Sequence, residues 1–237
     1  MSVRTPEAIE RRAYRYQQAA NALTEVRSRA ADPLASYILT TPNYRSWGLA
    51  GVVGALKVTD KVDGLFAKRR AKLLESLASE DGTSYEIKNQ KLVEAIEWGG
   101  INDPKADKKL NHAIFGSIAV RDALNHDWES AVTTVVADGI ITIRDKWTDY
   151  ERSLAALRGH NGHSRFPGQV KELLIDLTSV AAVSPLAERG PEGQDLTAGR
   201  VAVCALYGAS TASAIGSGIG QVIHMRTPID QTAPIAA

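Results

Sequence analysis

Apolar positions recur every three or four residues along almost the whole chain, and strand-like alternation is scarce, so the pattern predicts an all-α protein. Residues 5–31 read as an amphipathic helix with a basic polar face. Thr5-Pro6-Glu7 opens it with a capping hydroxyl, a first-turn proline and an early acid. A short helix is predicted over 33–40, ended by Thr41-Pro42-Asn43. The next is predicted over 44–77, then a polar turn at 80–84, a short helix over 86–98 and a break at Gly99-Gly100. Further helices are predicted over 103–125 and 128–157. A Gly-, His- and Asn-rich loop over 158–168 precedes a helix over 170–186, a loop over 187–194 and a last helix over 196–225. The expected organisation is a basic amphipathic helix over 1–31, a helical bundle over 32–225 and a flexible tail over 226–237.

The same pattern frames the membrane question. Val201 to Met225 holds no Asp, Glu, Lys or Arg over 25 residues, which is long enough to span a bilayer. Its Gly, Ala and Ser content, including Gly216-Ser217-Gly218-Ile219-Gly220, suits close helix packing. Because this run lies within a helix and not after a strand, it is not a dinucleotide-binding loop. The other uncharged runs, 46–56 and 130–137, are too short, so hydropathy alone supports one span or none. The alternative is a buried Ala/Gly-rich helix in a soluble bundle.

Composition narrows the classes further. With 44% hydrophobic and 23% charged residues, the 237-residue chain reads as folded, not disordered. Lys and Arg number 28 against 27 Asp and Glu, so net charge gives no case for a nucleic-acid partner. A single cysteine, Cys204, excludes an internal disulfide framework and a cysteine-based zinc site. His160 and His163 sit in the Gly/Asn-rich loop without a second cluster, which argues against zinc. The N-terminal Arg4, Arg11, Arg12 and Arg15 are mixed with Glu7, Glu10 and Glu25. That mixture fits neither a secretory signal nor a transit peptide, and it does fit an interfacial helix on anionic lipid.

The chemistry-bearing residues are carboxylates. Asp60 and Asp63 are spaced i, i+3, and Asp103 and Asp107 are spaced i, i+4, so each pair shares a helix face. If the two faces meet, four carboxylates aim at one volume, and that volume repels itself unless cations fill it. Hard divalent ions, Mg²⁺ or Mn²⁺, suit such all-oxygen ligands. Gly64 and Ala67 keep bulk off the face beside Asp60 and Asp63, leaving room for a metal-bound pyrophosphate. Each pair taken alone is equally well a solvated helix face, with Asp103 capping a helix ahead of Pro104.

Together these residues resemble the signature of the CDP-alcohol phosphatidyltransferase family, D-x2-D-G-x2-A-R followed by G-x3-D-x3-D. Asp60, Asp63, Gly64, Ala67, Gly99, Asp103 and Asp107 all fall in place. Asn21-Ala-Leu-Thr24-Glu-Val-Arg27 is similar to the opening motif of bacterial members. Ile143-Arg144-Asp145 and Phe166-Pro-Gly168-Gln-Val-Lys171 look like segments of phosphatidylglycerophosphate synthases.

The resemblance implies a six-helix transmembrane bundle with an N-terminal amphipathic helix and a cytoplasmic-facing site in a multi-pass membrane protein, with a homodimer possible. Its activity would be transfer of a phosphatidyl group from CDP-diacylglycerol to an alcohol acceptor, with release of CMP. It assigns Asp60, Asp63 and Asp103 as metal ligands. Asp107 becomes the general base, which also touches a metal or is a surface acid paired with Lys108. Gly64, Ala67 and Lys68 would line the CDP site, and Asn21 and Thr24 would approach the nucleotide or cap a helix. Arg144 and Lys171, assisted by Arg27 and Arg165, are candidates for an acceptor phosphate such as that of glycerol 3-phosphate, or else are solvated or headgroup-contacting basic residues.

The chain also departs from the pattern. Lys68 stands where the signature has Arg, with Arg69 adjacent, and Gln169 and Glu172 replace the family's Lys and Thr. The spacer from Lys68 to Gly99 is 30 residues, far longer than is usual for the family. Arg121, Asp122, Glu129, Asp138, Glu172 and Asp176 fall in the presumed spans, where charge must face the bundle interior. These departures support an alternative: an inactive or soluble helical binding or structural protein that retains the acidic signature.

Overall fold

The computed structural model describes residues 5–77, 85–157, 166–188 and 197–226, without the side chains of 141, 144–171, 221 and 224–226. The expected turn at 80–84, most of the two loops and almost all of the tail lie outside these residues, as do His160, His163 and Arg165. Six α-helices account for most of the described chain: α1 (Pro6–Thr40), α2 (Trp47–Glu75), α3 (Gln90–Leu124), α4 (Trp128–Leu157), α5 (Phe166–Ala182) and α6 (Ala198–Arg226). A single 3-10 turn, Pro185–Ala187, lies between α5 and α6, and no strand occurs among the described residues. The chain divides into two compact units. One comprises residues 1–44 and 48–117, the other 45–47 and 118–237.

In the first unit the helices are fewer and longer than the sequence pattern predicts. The Thr5 hydroxyl caps α1 by accepting from the Ala8 amide, with Pro6 in the first turn, as expected. The helix then runs through Pro33 without a break, so the predicted helices 5–31 and 33–40 are one. Its buried positions explain why. Glu10, Ala13, Gln17, Ala20, Thr24, Arg27, Ala31, Leu34 and Ile38 follow one another at alternating steps of three and four, forming a single continuous seam. Pro33 is off that seam and exposed, so the seam packs undisturbed across it.

Helix α3 likewise absorbs two predicted helices, 86–98 and 103–125, by running through Gly99-Gly100 and Pro104. Its seam includes Leu92, Ala95, Gly99, Ala106, Leu110 and Ile114. Asp103 is therefore a mid-helix residue, and the N-cap reading is overturned.

α2 starts at Trp47, three residues later than predicted, because residues 45 and 46, which belong to the second unit, are tied elsewhere. The Ser46 amide donates to the Val183 carbonyl at 3.0 Å, and Arg45 Nε donates to the Ala182 carbonyl at 3.2 Å. Arg45 also grips Asp122 through both carboxylate oxygens, at 3.1 and 2.8 Å. α3 ends where His126 takes the left-handed conformation, φ 60°, and Asp127 then caps α4 by accepting from the Ser130 amide. α6 packs against both α4 and α5. Within α6, Ala198–Gly220 is long and apolar enough to cross a membrane, and 33% of that stretch is buried.

Candidate functional site

The first unit gathers acids from two helices. One carboxylate oxygen each from Asp60 and Asp63 on α2 and Asp103 on α3 lies within 4.8 Å of the others. Asp60 and Asp63 continue the α2 seam defined by Leu49, Val53 and Leu56, and Asp103 sits on the α3 seam between Gly99 and Ala106. The trio thus forms where two otherwise apolar seams turn acidic at the same level. Asp63 is buried, while Asp60 and Asp103 are partly exposed, so the cluster opens toward solvent on one side.

α1 supplies the counter-charge at that level. Arg27 is fully buried, and its Nη2 donates to Asp103 Oδ1, pairs with Asp63 Oδ2 at 2.5 Å and lies 3.7 Å from Asp60 Oδ1. The Thr24 hydroxyl lies 3.3 Å from Asp103 Oδ1 and 3.5 Å from Asp63 Oδ2, the oxygens that Arg27 meets. An arginine facing carboxylates usually makes a forked, two-nitrogen pair. Here one nitrogen serves three acids, while buried Nε and Nη1 have no hydrogen-bond partner. That geometry suits a point cation better than a planar guanidinium, and one positive charge leaves three carboxylates incompletely neutralised. A set of three hard oxygens around one point fits Mg²⁺ or Mn²⁺.

Asp107 is not part of this trio. Its Oδ1 lies 3.7 Å from Nζ of Lys57, a buried lysine that also donates to Asn111 Oδ1 at 2.5 Å. The i, i+4 spacing placed Asp103 and Asp107 on one face, but the neighbours differ: Arg27 holds the first and Lys57 the second. Three acids, not four, therefore define the candidate cation site.

Asn21 and Thr24 do not cap a helix; both are in the middle of α1. Asn21 Nδ2 donates to the Ala95 carbonyl at 2.9 Å, and its Oδ1 accepts from Gln17 Nε2 at 2.8 Å. Gln17 Oε1 in turn accepts from Arg70, a half-buried residue of α2. Lys68 and Arg69 are exposed, so Arg70 is the inward-facing cation of that turn. Arg27, expected to assist at an acceptor phosphate, is paired with the acids. Arg144 and Lys171 lie on α4 and α5, and their side chains fall outside the described residues. Sequence reasoning missed the joint role of Arg27 and Thr24, and also missed Lys57, Gln17 and Arg70. The available signal was the three-and-four spacing that puts 17, 24 and 27 on one seam.

The two signature glycines divide into different roles. A Cβ on Gly99 would lie 2.5 Å from Gln17 Nε2 and 2.7 Å from Asn21 Oδ1, atoms held in place by the hydrogen bonds just described. A Cβ on Gly64 meets nothing within 4 Å. Gly99→Ala is expected to lower stability by about 1–2 kcal/mol despite the helix propensity of alanine, through the overpacking. Gly64→Ala is expected to be neutral or stabilising by up to about 1 kcal/mol. Urea unfolding of the two variants checks this, and equal effects would refute the division. No protein-family model, curated protein or solved structure gives a significant match to the chain.

Proposed function

We propose that the chain is a divalent-cation-dependent transferase that moves a phosphatidyl group from CDP-diacylglycerol to an alcohol acceptor such as glycerol 3-phosphate. The carrying observation is the convergence of Asp60 and Asp63 with Asp103, forty residues further along the chain, around one point beside an open glycine. When bound there, Mg²⁺ or Mn²⁺ would neutralise charge developing on the diphosphate as a Lewis acid. Asp60, Asp63 and Asp103 hold the cation, and Gly64 and Ala67 leave space for the diphosphate. The acceptor hydroxyl oxygen bonds to the β-phosphorus of the donor, the bridging P–O bond breaks, and CMP departs. Asp107 receives the hydroxyl proton on its carboxylate, with Lys57 Nζ, 3.7 Å from its Oδ1, orienting that carboxylate.

A membrane setting is part of the proposal and rests on the exposed aliphatic residues of the second unit. Its interior carries Asp122, Asp127, Thr134, Thr178, Arg200 and Ser210, all buried. Val132, Val135 and Ile143 of α4, Leu173 of α5, and Val201 and Ile223 of α6 are all more than half exposed. These polar groups are buried beside apolar ones such as Ile175, Val183 and Val203, and a bilayer would cover the exposed aliphatic groups. Of the charges in the presumed spans, Asp122 on α3 is buried and paired with Arg45, whereas Glu129 on α4 and Glu172 on α5 are exposed and do not face the interior.

Arg27 favours a second reading, a helical binding or structural protein without turnover, because it already gives the trio an internal cation. Purified protein incubated with CDP-diacylglycerol, labelled glycerol 3-phosphate and Mn²⁺ separates the two. Labelled lipid product and its loss on chelation are expected. A folded protein that makes no product with any of several alcohols would support the second reading.

A further inference from the structure

Helices α1 and α2 of the first unit run antiparallel: Tyr16 stacks on Phe66, ring centroids 6.0 Å apart, and Arg27, further along α1, meets Asp60, further back on α2. Each helix carries an outward stripe with the same order of side chains. On α1 it is Arg12, Arg15, Ala19 and Val26. On α2, read in reverse, it is Lys72, Arg69, Leu65 and Val58. Both advance by three, four and seven residues, so each stripe keeps to one helix face. Val26, Leu65 and Val58 are 49%, 54% and 60% exposed. Antiparallel packing brings the two cationic ends to the same end of the pair, at the Tyr16–Phe66 stack.

Cations, then aromatic rings, then aliphatic groups is the order met on passing from lipid headgroups into hydrocarbon. The depth agrees as well. Arg15 and Val26 are eleven residues apart, as are Arg69 and Val58. At 1.5 Å per residue that is about 16 Å, against about 15 Å for one leaflet of a bilayer core. The cations of the two stripes also converge. Arg12 Nη2 donates to the Tyr16 phenol oxygen at 3.4 Å, and Arg69 reaches the same oxygen from α2. Two guanidiniums beside one neutral acceptor repel each other. Neither has an acid three or four residues away on its own helix, and neither is ion-paired among the described residues. Glu10, the acid of α1 nearest to Arg12 in sequence, is buried and accepts from the Lys88 amide. An anion between the two forks relieves the repulsion, and phosphate oxygens suit the forks. A nucleic acid also supplies phosphates, but it would leave the aliphatic half of both stripes uncovered.

We propose that Arg12 and Arg69 together bind the phosphate of an anionic membrane lipid, whose acyl chains lie along the aliphatic halves of the two stripes. Two guanidiniums match the phosphomonoester head of phosphatidic acid better than a singly charged phosphodiester. The proposal rests on the membrane setting given above, not on phosphatidyl transfer, and it uses neither the acidic trio nor Gly64 and Ala67.

The full chain is reconstituted into dioleoylphosphatidylcholine bilayers holding a trace of spin-labelled phosphatidic acid or spin-labelled phosphatidylcholine. Paramagnetic resonance then reads the fraction of each label immobilised by the protein. Phosphatidic acid is expected to be enriched at least about fivefold over phosphatidylcholine. Arg12→Gln combined with Arg69→Gln is expected to bring that enrichment below about twofold. Both side chains are exposed, so the fold should survive the change. Arg29→Gln combined with Lys109→Gln removes the same charge from residues already paired with Glu25 and Asp32, and is expected to leave the enrichment unchanged. Millimolar inorganic phosphate is expected not to displace the lipid, because it lacks the chains. Failure to enter the bilayer at all overturns the membrane setting and this site together. Entry without preference for phosphatidic acid, preference kept by the first double variant, equal loss in the second, or displacement by inorganic phosphate overturns the site alone.

Discussion

Arg27→Met is expected to make the stability of the protein depend on divalent cation. Removing one partner from a buried ionic cluster costs about 3–5 kcal/mol, and the lower end applies here because the Asp103 side chain is 44% exposed. Three carboxylates within 4.8 Å of one another would then lack their central positive charge. A cation taking that place restores stability by mass action, by about 2.7 kcal/mol at a hundredfold excess over its dissociation constant. Wild-type protein should gain less from the same cation, because Arg27 competes for the same oxygens, and Mn²⁺ should bind more tightly to the variant. Urea unfolding with and without Mn²⁺ measures the first effect, and Mn²⁺ titration followed by paramagnetic resonance measures the second. A variant as stable as wild type and indifferent to Mn²⁺ would show that Arg27 is not the counter-ion of the trio.

Asp107→Asn is expected to reduce phosphatidyl transfer by about 10²–10⁴-fold, the range for loss of a general base, with Mn²⁺ affinity nearly unchanged. Asp63→Asn should reduce both, since Asp63 is the buried member of the trio. Asp107 is held by Lys57 and stands apart from the cation point, which is why the two variants should separate binding from turnover. Lys57 keeps its Asn111 partner in the Asp107 variant, so the fold should survive and thermal unfolding should confirm it. Equal Mn²⁺ affinity in both variants would remove Asp63 from the cation site. Full transfer by Asp107→Asn would remove it as the base.

The helical character of every described element was legible in the sequence, because residues of high helix propensity fall at three- and four-residue spacing throughout. Several boundaries were not. Pro33, Gly99-Gly100 and Pro104 are local breakers, and local chemistry alone predicts interruptions at each. Long packing seams outweigh that local preference: Pro33 is off the α1 seam, and Gly99 is on the α3 seam, where α1 approaches too closely for a Cβ. The α1 seam was hidden for a different reason. Glu10, Gln17, Thr24 and Arg27 occupy it, and a hydropathy pattern does not register buried polar residues.

The acidic residues were legible as well, down to the face shared by Asp60 and Asp63, because an i, i+3 pair shares a face on any helix. Grouping Asp107 with them was not secured by spacing, since residues on one face can still meet different neighbours. The sequence by itself determined that the chain is helical and that Asp60 and Asp63 share a helix face. Only the tertiary structure decided that Arg27 would pair with three of the acids while Lys57 met the fourth. Helical periodicity fixes direction within one segment, whereas charge pairing depends on which seam lies opposite and at what level.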